Sequence, residues 1–327
     1  MNEPMKKDLN QKGFSLIELM IGLVLGLFVT GIVITVFMQS KRSYNQDDEI
    51  ARLQENGRYA LQVMSRDLTL AGFLGNVQIA DEISLSDLPT NAPCGIDWHN
   101  PSESPLNTPI RVFDTDYPSC IPAISGTQVL VIKHAKGTPS TSPGTNKLML
   151  SSNGKDGSLY VSSTTSAQPN TQYWEFQVHG YYIADEDNDG IPGLYRKRVV
   201  ADGSSSLDIK ADGELVPGVE NFRVTFGLDS NGGDGIADNY TTSPSAADLN
   251  IAVSARLDIL LRTSNPDFSY ENKKTYYVGS TTVLGDTFKE IKDGVDANEG
   301  RFYGRVFSTT LQMRNMAFRI QMSNMTP

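Results

Sequence analysis

Glu18 is the residue whose placement asks most of its chemistry. It stands directly before residues 19–38, a run of twenty positions without a charge. An ionisable group at the edge of hydrocarbon is costly and ordinarily has a dedicated partner, so Glu18 is a candidate contact residue. A second candidate is Asp185-Glu186-Asp187-Asn188-Asp189-Gly190, acids at alternate positions followed by glycine, the opening of a calcium loop. An EF-hand needs glutamate at position twelve, where this chain has Arg196, so that motif is excluded. What remains is a shorter turn in which Asp185, Asp187 and Asp189 converge on a hard cation, or a solvated hairpin turn that uses Asp, Asn and Gly for backbone reasons alone. Enzymatic chemistry finds no support. The three histidines, His99, His134 and His179, form no H-E-x-x-H pair, and neither G-x-S-x-G nor a phosphate-cradling glycine loop occurs. The expectation is a protein that is not an enzyme and carries no cofactor beyond structural calcium.

The element that must position Glu18 is a helix. At about 1.5 Å per residue, residues 19–38 cover roughly the 30 Å of a bilayer core. A cleaved secretory signal has an apolar region of about 7–15 residues and a small-x-small site, and this run is longer. A plain signal anchor fits the length and leaves Glu18 unexplained. No proline occurs between Met5 and Leu88, so the helix can continue past the apolar run. Ile50, Leu53, Gly57, Ala60, Leu61, Met64, Leu68 and Ala71 recur at helical spacing, and Gly72 and Gly75 supply a stop. Gly22 and Gly26, with Gly31 beyond, offer a small-residue packing face in lipid, against the ordinary abundance of glycine in membrane helices. Further on, strand patterns occupy 127–134, 147–151, 159–163, 173–184, 194–200, 221–228, 251–262, 275–278 and 301–313. Residues 86–126, with seven prolines and both cysteines, read as a long irregular excursion.

Gly13-Phe14-Ser15-Leu16-Ile17-Glu18-Leu19-Met20 resembles the processing and assembly signal of type IV pilins and type II secretion pseudopilins. The resemblance implies cleavage between Gly13 and Phe14 by a prepilin peptidase, N-methylation of Phe14, and an assembly contact in which Glu18 meets the N-terminal amine of a neighbouring subunit. The rest of the chain is similar to PilW-like minor pilins, related to J-type pseudopilins. That similarity is carried by Gln54-Glu55-Asn56-Gly57-Arg58-Tyr59-Ala60, Arg66-Asp67-Leu68, Pro217-Gly218-Val219-Glu220-Asn221-Phe222 and Val253-Ser254-Ala255-Arg256-Leu257-Asp258, and by Arg305-Val306-Phe307-Ser308-Thr309-Thr310. Gly57 departs from it, standing where the family often has alanine. Asp229-Ser230-Asn231-Gly232-Gly233-Asp234-Gly235-Ile236-Ala237-Asp238 resembles the acidic turn of that family with one extra glycine. By resemblance its candidate cation ligands are Asp229, Asn231, Asp234 and Asp238, again against the plain turn.

The resemblance implies an α+β type IV pilin fold, a long N-terminal α-helix packed on an antiparallel β-rich globular head. Its parts are a leader (1–13), a transmembrane half of the helix (14–38), an amphipathic periplasmic half (39–75) and the head (76–327). The formal charge is −10, and losing the leader makes it −11, which repels phosphate backbones and argues against direct nucleic-acid binding. In an oxidising periplasm Cys94 and Cys120 read as one disulfide, worth about 3 kcal/mol on the loop-entropy model, with two free thiols as the alternative. The expected partners are other minor pilins and the major pilin through the helix, the prepilin peptidase, the inner-membrane assembly platform and a large tip adhesin. The expected function is a minor pilin that primes pilus assembly in a tip complex and supports twitching motility, adhesion or DNA uptake. The alternatives are a minor pseudopilin of type II secretion and a ligand-binding tip module. The expected location is the inner membrane, with the N-terminus cytoplasmic and the head periplasmic, and then the pilus.

Overall fold

The computed structural model describes residues 13–77, 83–85, 88, 108–115, 118–162, 166–202, 206–231, 234–288, 290–292 and 295–316. Helix α1 runs Leu16–Leu70, and by its contacts the chain divides into two units, Met1–Glu49 and Ile50–Pro327. In the first unit the large apolar side chains from Phe14 to Met38 are exposed, and the helix is long and apolar enough to cross a membrane.

In the second unit α1 buries one face, Leu53, Gly57, Ala60, Met64, Asp67 and Leu68. This is the expected stripe with one addition, Asp67, while Ile50 and Leu61 are half-buried. Each fully covered Leu or Met contributes about 1.5–3 kcal/mol, so the stripe holds this part of the helix to the strands that cover it. The helix stops where Gly72 turns left-handed at φ 73°. The chain then docks onto a strand end: the Gly72 N–H donates to the Lys133 carbonyl (3.2 Å), and the Ala135 N–H donates to the Phe73 carbonyl (2.7 Å).

The strands are β1 (Ile83–Ser84), β2 (Ile110–Phe113), β3 (Val129–Ala135), β4 (Lys147–Ser152), β5 (Gly157–Ser162), β6 (Gln172–Ala184), β7 (Gly193–Ala201) and β8 (Leu207–Pro217). They continue with β9 (Val219–Leu228), β10 (Asn239–Thr241), β11 (Ala252–Arg262), β12 (Thr275–Val278), β13 (Thr281–Leu284), β14 (Glu290–Lys292), β15 (Val295–Ala297) and β16 (Gly304–Gln312), with a short helix α2 (Ala246–Asn250) before β11. The first eight form one sheet in the order β1-β5-β4-β6-β3-β2, to which β7 and β8 attach through β6. A four-stranded sheet runs β10-β9-β11-β16, and two hairpins, β12-β13 and β14-β15, stand apart. Among the described residues all strand pairs are antiparallel except β1 with β5.

Strand alternation gives the large sheet two apolar faces. Leu130, Ile132, Tyr181 and Ile183 share a core with Met64 and Leu68 of α1 and with Phe222, Val224 and Ile259 of the second sheet. Val129, Val131, Val178 and Tyr182 point the other way into a second core around Trp174 and Leu150. Every expected strand segment contains a strand. One expectation needs correction: within the excursion 86–126, Ile110–Phe113 is an ordered strand paired with β3. Its alternation is too short to stand out among prolines. Most of the remainder of 86–107, with Cys94 and His99, lies outside the described residues, as do residues 1–12.

Candidate functional site

The N-terminal motif shows a local arrangement that its charge alone did not reveal. The Ser15 backbone N–H donates to Glu18 Oε2 (2.9 Å), and the Glu18 N–H donates to Ser15 Oγ (3.3 Å). This is a capping box: two of the helix's unpaired first-turn amides are satisfied by side chains three residues apart. The Ser-x-x-Glu spacing was the available signal. Phe14, next to the expected cleavage point, is 88% exposed. Further along the apolar run, Thr30 donates to the Gly26 carbonyl (2.7 Å) and Thr35 to the Gly31 carbonyl (2.6 Å). These back-bonds hide both hydroxyls and favour a slight bend, in a segment with no proline to provide one.

The β6–β7 turn brings Asp185, Asp187 and Asp189 together, with one carboxylate oxygen from each inside a 4.8 Å group. Asn188 (φ 57°) and Gly190 (φ 81°) supply the left-handed bends that fold the acids inward. Asp185 Oδ2 accepts the Gly190 N–H (3.2 Å), while Asp185 Oδ1 is buried without a hydrogen bond. Asp187 accepts the Tyr195 hydroxyl (3.0 Å) and Asp189 the Ile191 N–H (2.8 Å). A fourth carboxylate, Glu214 of β8, reaches the same place because Tyr195 pairs with Glu214 across the β7–β8 ladder. Burial, then the charges of Asp187, Asp189 and Asp185, push the Glu214 carboxyl up to about 7. Fully buried Arg262 braces the turn from the second sheet: its guanidinium reaches the Gly190 carbonyl (3.4 Å) and lies 4.1 Å from the Phe302 ring centre.

The second acidic stretch is arranged differently. Asp238 Oδ2 accepts the N–H groups of Ser230 (2.8 Å) and Asn231 (3.1 Å), and the Asn231 side-chain amide also reaches Asp238. Asp229 accepts the Gly235 N–H (2.7 Å) and Asp234 the Ile236 N–H (2.8 Å). The carboxylates close the turn by capping its amides, and among the described residues they do not gather as a ligand group. Of the cysteine pair, Cys120 is disulfide-bonded, and Cys94 lies outside the described residues.

A third constellation was not foreseen. Asp67 of α1 meets His134 of β3 and His179 of β6 inside the protein. Ile132 pairs with His179, so His134 and His179 lie on the same sheet face two residues out of register. That face is the one α1 covers, and the docking of Gly72 and Phe73 on Lys133 and Ala135 sets His134 beside Asp67. His179 Nδ1 lies 2.5 Å from Asp67 Oδ2, which also accepts the Tyr181 hydroxyl at 2.6 Å. His134 Nε2 lies 3.6 Å from Asp67 Oδ1. Burial opposes ionisation of Asp67 but is outweighed by His134, His179 and Tyr181 around it, so its carboxyl is held far below the usual range. Burial and then the Asp67 charge push the Tyr181 phenol up, which keeps it a donor. The signal in the sequence was phase: Asp67 follows Met64 by three on the apolar stripe, and His134 and His179 keep step with Leu130, Ile132 and Tyr181.

Residues 180–315 match the family described as Type IV Pilus-assembly protein W, and residues 8–34 match the prokaryotic N-terminal methylation motif. No curated protein matches the chain. Among solved structures, a type IV-like pilin from Thermus thermophilus aligns over 81% of this chain and 97% of its own, at 13% identity and a TM-score of 0.38.

Proposed function

We propose that this chain, a PilW-like type IV minor pilin by its methylation motif and its pilus-assembly domain, primes pilus assembly within a minor-pilin complex at the filament tip. The observation that carries this reading is the presence on one chain of the methylation motif at 8–34 and the pilus-assembly domain at 180–315. The first supports an N-terminus processed for a filament, and the second supports a part in pilus assembly. In this role a peptidase cuts between Gly13 and Phe14, the new amine of Phe14 is methylated, and the apolar first half of α1 holds the subunit in the inner membrane with its head in the periplasm.

On extraction into the filament the helix exchanges lipid for the helices of the major pilin and other minor pilins. Glu18, exposed in the single chain, then meets the cationic N-terminus of a neighbour, since a carboxylate entering an apolar bundle needs a compensating charge. The head acts by binding partner subunits and a tip adhesin and does no chemistry. A disulfide between Cys94 and Cys120 ties the segment between them to the large sheet. Calcium at Asp185, Asp187 and Asp189 relieves the repulsion of the acidic turn. Motility, adhesion or DNA uptake follow from the filament that this subunit helps to start.

The test is a clean deletion with complementation in the native host, scored for sheared surface pili and for secreted hydrolases. Loss of pili with secretion intact is the expected result. Loss of secretion with normal pili would assign the chain to a type II secretion system instead.

A further inference from the structure

We propose that Asp67, His134 and His179 bind a divalent transition metal ion, zinc being the ion that best suits two imidazoles and a carboxylate, and that this ion fastens the end of α1 to the large sheet. The argument starts from His134. Its Nδ1 lies 2.9 Å from the Ala135 carbonyl oxygen. A carbonyl can only accept, so in the neutral ring Nδ1 carries the hydrogen and Nε2 presents a lone pair. That lone pair faces Asp67 Oδ1 at 3.6 Å, another acceptor. The ring is 1% exposed, and Nε2 has no hydrogen-bond partner. With the ring neutral, two acceptors would face each other away from water and repel, so the stabilisation that His134 lends the Asp67 carboxylate needs a positive centre between them, a proton on Nε2 or a metal ion.

The surroundings favour a metal ion over a bare proton in that place. The ligand atoms of Asp67, His134 and His179 all lie within 4.8 Å of one another, and the 3.6 Å between His134 Nε2 and Asp67 Oδ1 is too long for a hydrogen bond through a proton but close to the spacing of two ligands on one ion. A zinc ion at about 2.0–2.1 Å from each ligand atom spaces tetrahedral ligands by roughly 3.3 Å. The separation of Asp67 Oδ1 from His134 Nε2 is already close to this, and His179 would draw back from Asp67 by under about 1 Å. The outer contacts also match those of metal sites. The far ring nitrogen of His134 is anchored on a backbone carbonyl, and the Asp67 carboxylate is steadied by the Tyr181 hydroxyl. With all three ligands buried, the ion would tie helix to sheet, a water completing its fourth position.

The tag-free full-length chain in detergent micelles is stripped with EDTA, loaded with zinc, desalted and analysed for metal. It is also titrated with cobalt(II) as a spectroscopic probe. The expected results are about one zinc per chain, a melting temperature raised by about 5 °C or more, and visible cobalt absorption of tetrahedral type. H134Q and H179Q should each lose metal and the cobalt bands, while the triple variant D185N/D187N/D189N keeps both. A wild-type chain that is folded yet takes up neither zinc nor cobalt overturns the proposal and leaves a buried hydrogen-bonded clamp only. Undiminished zinc in folded H134Q overturns it equally. Should the histidine variants fail to fold, the wild-type cobalt spectrum and the acidic-turn variant decide alone.

Discussion

Glu214 sits half-buried beside three other carboxylates, and its carboxyl is pushed up to about 7 by burial, then by Asp187, Asp189 and Asp185. For an acid whose folded pKa is raised, the unfolded chain releases its proton first as pH climbs. The stabilising contribution is therefore complete below about pH 4.5, declines through the interval and is lost above about 7. E214Q should flatten this decline, so that its advantage over wild type in urea melts grows between pH 5 and pH 8. Millimolar calcium at pH 8 should stabilise wild type and fail to stabilise D187N. Equal pH profiles for wild type and E214Q would reject the electrostatic reading of this turn. The acids of the turn were legible because they alternate within six residues. Glu214 was not, since only the β7–β8 pairing brings it there. Asp67, His134 and His179 failed the same way: each keeps the phase of its own apolar stripe, and only the tertiary crossing of helix over sheet makes them neighbours.

At the scale of elements, the helix was the most legible part of the chain, because its stripe repeats over many turns and ends on glycines. Strands buried on one or both faces were legible for the same reason. β8 escaped because it pairs only with β7 and carries Asp208, Lys210, Asp212 and Glu214. Charge of that density on an exposed strand discourages edge-to-edge association, and it also erases the apolar signal. Helix and sheet meet closely at Gly57, where an added Cβ would fall 2.6 Å from the Phe307 ring. That contact accounts for glycine at this point of the buried helix face. G57A gains about 1 kcal/mol of helix propensity. Against this, overpacking a ring wedged between helix and β16 costs about 1–3 kcal/mol, so the expected net effect is destabilisation. Equilibrium denaturation checks it: G57A should unfold earlier than wild type, and F307L should narrow the gap. An increase in stability would mean that the ring has room to move aside.

Across the whole molecule, the division at Ile50 separates the membrane-compatible first part of α1 from the unit that holds the buried core among the described residues. A change at Glu18 should therefore leave the stability of the head untouched and act only on assembly. Glu18 carries two distinct explanations, since the structure adds a capping box to the charge pairing expected in the filament. They separate by substitution. E18A removes both, while in E18Q the amide oxygen still accepts the Ser15 N–H and keeps most of a cap worth about 1 kcal/mol. If capping were the whole role, E18Q would behave as wild type. If the carboxylate must answer a neighbour's amine in an apolar bundle, E18Q leaves that amine uncompensated and fails nearly as badly as E18A. Both variants should insert in the membrane and melt like wild type, yet be depleted from sheared filaments. Wild-type recovery of E18Q in those filaments would reduce Glu18 to a helix cap.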